Sequence, residues 1–146
     1  MKLEKTNLED CFILSPKVFE DERGTFSETF NAKNFLDQTG IAVTFVQDNQ
    51  STSKYGVVRG LHFQTGVHGQ TKLVRVVKGS ALDVVVDLRK GSPSFGKSFS
   101  IVLSGENKKQ LFVPRGFAHG FSVLEDDTVF AYKCDAYYNK ESERGI

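Results

Sequence analysis

Residues 57–79 read VVRGLHFQTGVHGQTKLVRVVKG, two valine-rich strands joined by a glycine-bearing link. A strand buried on one face carries apolar side chains at every second position. Here Leu61 and Phe63 share one face, His62 and Gln64 share the other, and Lys72 opens the next strand. Polar groups paired in this way belong either to a solvated face or to the lining of a pocket. Arg59 falls by parity opposite His62, and a bulge at Gly60 would turn both the same way.

Outward from this stretch the chain repeats the same grammar. KVFEDERGTFSETF reads as strand, turn at DERG, and strand. NAKNFLDQTG reads as the one helix, with Asn31 as cap, Ala32, Phe35 and Leu36 as apolar stripe, and Gly40 as left-handed stop. Further strands centre on IAVTFVQ, ALDVVVDLR, SFSIVLS, KQLFVP, HGFSVLE and TVFAYKC, and links such as KGSPSFG and SGENKK carry turn residues. Many short strands with almost no helix predict a sandwich or barrel, with a jelly roll favoured over an up-and-down barrel. No linker or composition shift divides residues 1–146, so a single domain is expected.

Composition narrows the function classes. The formal net charge is +1 across 146 residues, and the basic residues are scattered. A nucleic-acid partner would call for a basic stripe, so none is expected. No segment approaches the ~20 apolar residues of a membrane span. The N-terminus, MKLEKTNLEDCF, has no apolar run of the secretory kind. Cys11 and Cys134 make neither a metal-type spacing nor a disulfide framework. A reduced, cytoplasmic setting follows.

Several polar residues share strand faces with aromatics. Glu28 lies on the side of Phe26 and Phe30, and Gln47 and Asn49 follow Val43 and Phe45. His119 aligns with Phe117 and Phe121, and Tyr132 with Phe130 and Cys134. Asp83 and Asp87 alternate with a clean row of Leu82, Val84, Val86 and Leu88. Each has a plain structural explanation: a lone strand histidine is commonly a hydrogen-bonded core residue, and Asp87 with Arg89 reads as a surface ion pair. Together they are better explained by a polar-lined interior.

Such an interior suits two chemistries. PRGFAHGF resembles the second motif of metal-binding cupins and supplies His119. The first cupin motif is degraded, because Gln64 stands where a second histidine belongs and no glutamate follows nearby. An amide is a poor transition-metal ligand, and Lys72 would repel the cation, so no metal is expected. The remaining set can act without one. A histidine serves as base near neutral pH, a lysine stabilises a developing oxyanion, and a tyrosine delivers a proton from another direction. Arginines fit a phosphate or diphosphate. Residue types allow epimerisation through an enolate without requiring it.

The blocks DERGTFSETF, FVQDNQSTS, GVVRGLHFQ, QTKLVRVVKG, DVVVDLRKGSPSFGK, ENKKQLFVPRGFAHGF and YKCDAYYNKESERGI, in this order, resemble the dTDP-4-dehydrorhamnose 3,5-epimerase family along nearly the whole chain. The resemblance implies an all-β, cupin-type jelly roll (a double-stranded β-helix) with one short helix. It implies an isomerase of dTDP-rhamnose biosynthesis, acting on a dTDP-linked 4-keto-6-deoxy sugar with no cofactor. His62 would be the base, Tyr132 the acid, and Lys72 the partner of the keto oxygen. Arg59 and His119 would contact the sugar and diphosphate. Arg23, Glu28, Gln47, Asp48 and Asn49 would bind the nucleotide, Tyr138 would stack on the thymine, and Glu143 would contribute to binding. A homodimer with shared N-terminal strands is implied, so that Arg23 and Glu28 serve the neighbouring site.

Family chains usually continue past the glycine of SERGI, where this sequence stops. The tail there carries an aspartate that pairs with the catalytic histidine and a lysine near the substrate. The resemblance therefore leads one to expect a less well-oriented His62, with Asp83 as a carboxylate that could orient one of the histidines. Three rivals stay open: an epimerase acting at C3 or C5 alone, a nucleotide-sugar-binding relative with little turnover, and a metal-dependent cupin oxygenase or isomerase.

Overall fold

The computed structural model describes residues 1–146. Two antiparallel sheets face each other. The larger has six strands, β1 (Lys2–Lys5), β2 (Phe12–Ser15), β10 (Gln110–Val113), β7 (Lys72–Lys78), β12 (Thr128–Cys134) and β5 (Gln47–Ser53), in that spatial order. The smaller has five: β13 (Glu143–Gly145), β6 (Val58–Gln64), β11 (Phe117–Val123), β8 (Ser80–Asp87) and β9 (Ser98–Ser104). A separate hairpin joins β3 (Val18–Asp21) to β4 (Gly24–Ser27). Apart from β1–β2 and β8–β9, neighbours in the sheets are not consecutive in sequence, as in a jelly roll, and the expected all-β architecture is realised. No helix is long and apolar enough to cross a membrane.

Alternation places the core. Val74 and Val76 of β7, Phe130 of β12, Val85 of β8 and Phe117, Phe121 and Val123 of β11 point between the sheets and are buried. Burying each such side chain contributes roughly 1.5–3 kcal/mol. Phe121 and Phe130 stack across the gap, 3.9 Å between centroids and 6° from parallel. The outer face of the six-stranded sheet carries a second cluster: Phe12, Leu14, Leu73 and Phe112 under Phe35 of helix α1 (Ala32–Thr39). Both faces of β10 are therefore covered, which explains why QLFV is buried at every position.

The helix begins and ends as expected. Asn31 caps it by accepting from Asn34 N, and Gly40 closes it in the left-handed conformation at φ 72°. Elsewhere the expectations shift. Ile41, Val43 and Phe45 form no strand; they pack on the outer cluster, and the strand begins only at Gln47. β1, β2 and β13 had no sequence expectation at all. In β8 it is Asp83 and Asp87 that face inwards with Ala81 and Val85, whereas Leu82, Val84 and Val86 form the half-buried outer row. Asp87 is fully buried and ties Arg89, Ser92 and Ser94 together, so its pair with Arg89 is no surface contact.

Candidate active site

One end of the space between the sheets is left open and polar. A cavity of about 470 Å³ is lined by Asn49, Arg59, His62, Lys72, His119 and Tyr132 among others. A second lobe of about 320 Å³ shares Asn49, His62, Lys72 and Tyr132 and extends to Gln47, Tyr138 and Glu143. His62 comes from the smaller sheet, and Lys72 and Tyr132 come from the larger one, so the three meet across the gap. The Lys72 ammonium lies 5.7 Å from the centre of the Tyr132 ring.

The smaller sheet is built to bring two histidines together. His62 of β6 pairs in register with His119 of β11, and the register then slips so that Arg59 opposes Phe121. That bulge turns Arg59 into the cavity beside His62, as expected of Gly60, whose φ is +117°. A Cβ on Gly60 would meet Gly120 Cα at 2.5 Å, and one on Gly120 would meet Arg59 O at 2.6 Å. Two glycines facing each other thus permit the close approach of β6 and β11. Ser53 Oγ accepts from Arg59 Nε and Nη2, both at 3.2 Å, and holds the guanidinium at the cavity wall.

Asp83 settles which histidine it serves: its Oδ2 lies 2.8 Å from His119 Nε2, both groups buried. Its other oxygen, Oδ1, has no partner. His62 is flanked instead by β13, where Gly145 is its register partner. Burial pushes the Lys72 ammonium below the usual lysine range, against the pull of Cys134, Asp83 and Glu143. Burial also pushes the Tyr132 phenol up, Cys134 and Glu143 adding to it and Arg59 and Asn49 opposing. Tyr132 is accordingly a protonated phenol at neutral pH.

The far lobe is organised by amides. Gln47 Nε2 donates to Asn49 Oδ1 at 3.1 Å, and Gln47 Oε1 accepts from Tyr138 N at 3.0 Å. Tyr138 donates its hydroxyl to Glu143 Oε2 at 2.9 Å and keeps an exposed ring at the cavity mouth. Three expected site residues stand apart. Asp48 points to the opposite face of β5 from Gln47 and Asn49; it pairs with Lys133 at 3.0 Å and borders a separate hollow of about 230 Å³. Arg23 is in the exposed β3–β4 turn, where it pairs with Asp21, and Glu28 follows β4; neither lines the cavity of its own chain. Cys134 is buried behind the lining, where its Sγ accepts from Asn49 Nδ2 at 3.8 Å.

A jelly roll with an imidazole, a phenol and an ammonium around one polar cavity defines an enzyme of the acid–base type, built to move protons on a small polar substrate. The family model for dTDP-4-dehydrorhamnose 3,5-epimerase matches residues 5–146, and the chain belongs to that family. A dTDP-4-dehydrorhamnose 3,5-epimerase of Shigella flexneri is 54% identical over 146 residues, covering 100% of this chain and 81% of the relative. The crystal structure of the corresponding enzyme from Elizabethkingia anophelis superposes with a TM-score of 0.96 at 58% identity, over 100% of this chain and 80% of that one. A Legionella pneumophila dTDP-6-deoxy-D-glucose-3,5-epimerase in complex with dTDP-4-keto-L-rhamnose gives a TM-score of 0.95 at 50% identity, over 99% of this chain and 77% of that one.

Proposed function

We propose that residues 1–146 act as one catalytic domain that epimerises C3 and C5 of dTDP-4-dehydro-6-deoxyglucose, giving dTDP-4-dehydrorhamnose. The observation that carries this reading is the meeting of His62, Lys72 and Tyr132 around one cavity from two facing sheets. Both C3 and C5 neighbour the C4 ketone, which acidifies their protons and makes a cofactor unnecessary. His62 removes a proton, and the electron pair moves onto the keto oxygen as the enolate forms. The Lys72 ammonium stabilises that oxygen. Tyr132, kept protonated by burial, returns a proton from the opposite sheet and so inverts the centre.

The rest of the lining fits a nucleoside diphosphate. Arg59 and His119 border the larger lobe and suit the sugar and diphosphate, while Tyr138 offers a flat ring to the base, with Gln47, Asn49 and Glu143 around it. Arg23 and Glu28 reach a site only if the β3–β4 hairpin lies against a second copy of the chain, and a homodimer of that kind is part of this reading.

Incubating the protein with dTDP-4-dehydro-6-deoxyglucose in heavy water tests it, with deuterium read by mass spectrometry and NMR. Label is expected at both C3 and C5, and His62→Ala is expected to remove it while dTDP still binds. Folded wild-type protein that labels neither position would sink the proposal, and label at one position alone would reduce it to a single-site epimerase.

A further inference from the structure

Gln64 lies two residues beyond His62 on the same face of β6 and is 8% exposed. Both ends of its amide are engaged, and its partners are backbone groups of two loops. Nε2 donates to His68 O at 2.7 Å and to Tyr137 O at 3.3 Å, and Oε1 accepts from Asn139 N at 2.8 Å. Two of these bonds fall on either side of Tyr138, gripping its neighbours and leaving its ring free. The same segment is tied twice more: Asn139 Oδ1 accepts from Ser142 N at 2.9 Å, and Ser142 O accepts from Thr65 N at 3.0 Å. Glu143, which takes the Tyr138 hydroxyl, is the register partner of Gln64 itself.

We infer that Gln64 is a positioning residue: its amide staples the 137–139 backbone so that Tyr138 is presented at the cavity mouth, and it sets nucleotide affinity through Tyr138. The link to nucleotide affinity rests on the function proposed above; the staple itself does not. A primary amide is the side chain that can donate to two carbonyls and accept from an N–H at one point. A carboxylate has no proton to donate. A neutral imidazole has one donor and one acceptor. At this depth water cannot replace the lost partners without a rearrangement of the loop.

Two variants of similar length test the staple, Gln64→Glu and Gln64→Met, each with and without Tyr138→Ala. Hydrogen exchange in the unliganded protein is read at the Asn139 amide, with β8 and β11 amides as the measure of intact fold. Gln64→Met removes the acceptor of the Asn139 amide, so exchange there is expected to speed up about tenfold or more, whereas Gln64→Glu keeps an acceptor and is expected to change it less; β8 and β11 stay protected in both. The Kd for dTDP is expected to rise about tenfold, KM to change more than kcat, and the Kd for inorganic diphosphate to stay put. In the Tyr138→Ala background the Gln64 substitutions are expected to add little. Unchanged Asn139 exchange in Gln64→Met, or effects of Gln64 and Tyr138 that multiply, would overturn the inference. Gln64→Met decides should the glutamate variant fail to fold. A wild-type protein that does not bind dTDP would count against the proposed function, and Asn139 exchange would still decide on the staple.

Discussion

Lys72 shows what the proposed site demands of one residue. Its ammonium is half-buried, takes part in none of the ion pairs of the fold, and is held below the usual lysine range by burial. The unfolded chain, with a lysine near its ordinary value of about 10.4, binds that proton more tightly than the fold does. The charge therefore costs stability throughout the range below the folded value, and the cost fades as pH rises from there to the unfolded value. Lys72→Met is accordingly expected to raise the melting temperature at pH 7 while lowering turnover about 10²–10³-fold. Its advantage in thermal melts should shrink between pH 7 and pH 10. A variant that melts lower than wild type at pH 7 would mean that the ammonium is stabilised where it sits. Strand parity groups Tyr132 with Phe130 and His62 with Gln64, but for His62 and Lys72 it leaves a solvated face and a pocket equally open, and only the facing sheet decides. Parity also places Asp48 on the face opposite Gln47 and Asn49, so its assignment to the nucleotide rested on the likeness to relatives alone. The partnership of Asp83 with His119 depends on the β8–β11 register, which no local pattern encodes.

Among the elements, the ones hardest to read are β5, β13 and the setting of the β3–β4 hairpin. β5 is QDNQSTS, without an apolar residue, because its inner face borders a polar space; hydrophobic periodicity then points one segment too early, at IAVTFVQ. β13 has three residues and is made a strand by its pairing with β6. The β3–β4 hairpin was legible from its turn, but its setting was not. All of β3 is exposed, and Phe19 and Phe26, register partners, are 51% and 71% exposed. A two-stranded ribbon with aromatic side chains in water is marginal alone and presents a surface that calls for cover. In the homodimer proposed above, changing both to serine is expected to weaken self-association about tenfold or more in sedimentation equilibrium, and turnover should fall with it because Arg23 and Glu28 sit on the same element. The β8 and β11 amides should keep their exchange protection. A double variant that still dimerises and turns over normally would place the subunit contact elsewhere.

At the scale of the whole molecule, the link from β8 to β9 hangs on a buried carboxylate that lies outside the cavity lining. Asp87 accepts from Arg89 N, Nε and Nη2 at 2.9–3.0 Å and from Ser92 and Ser94 hydroxyls at 2.6 Å. Arg89 in turn reaches Asp10 at 3.1 Å and Glu9 O at 2.8 Å, and Ser94 Oγ accepts from Glu9 N at 2.9 Å. One network thus fastens the N-terminal segment to the β8–β9 link, across about 80 residues of sequence, which is why KGSPSFGK reads as nothing more than a turn. Burial alone would push the Asp87 carboxyl up, but the hydrogen bonds from Arg89, Ser92 and Ser94 outweigh it and hold it well below the usual carboxylate range. A carboxyl depressed in the fold lends stability that is complete above the unfolded aspartate value, about 3.9, and is lost as pH falls from there towards the folded value. Wild type is therefore expected to lose melting temperature steeply below about pH 4. Asp87→Asn gives up the charged partner of Arg89, so it should melt roughly 5 °C or more lower at pH 7 and show a flatter acid limb. Parallel acid limbs for the two proteins would assign the acid sensitivity to other carboxylates.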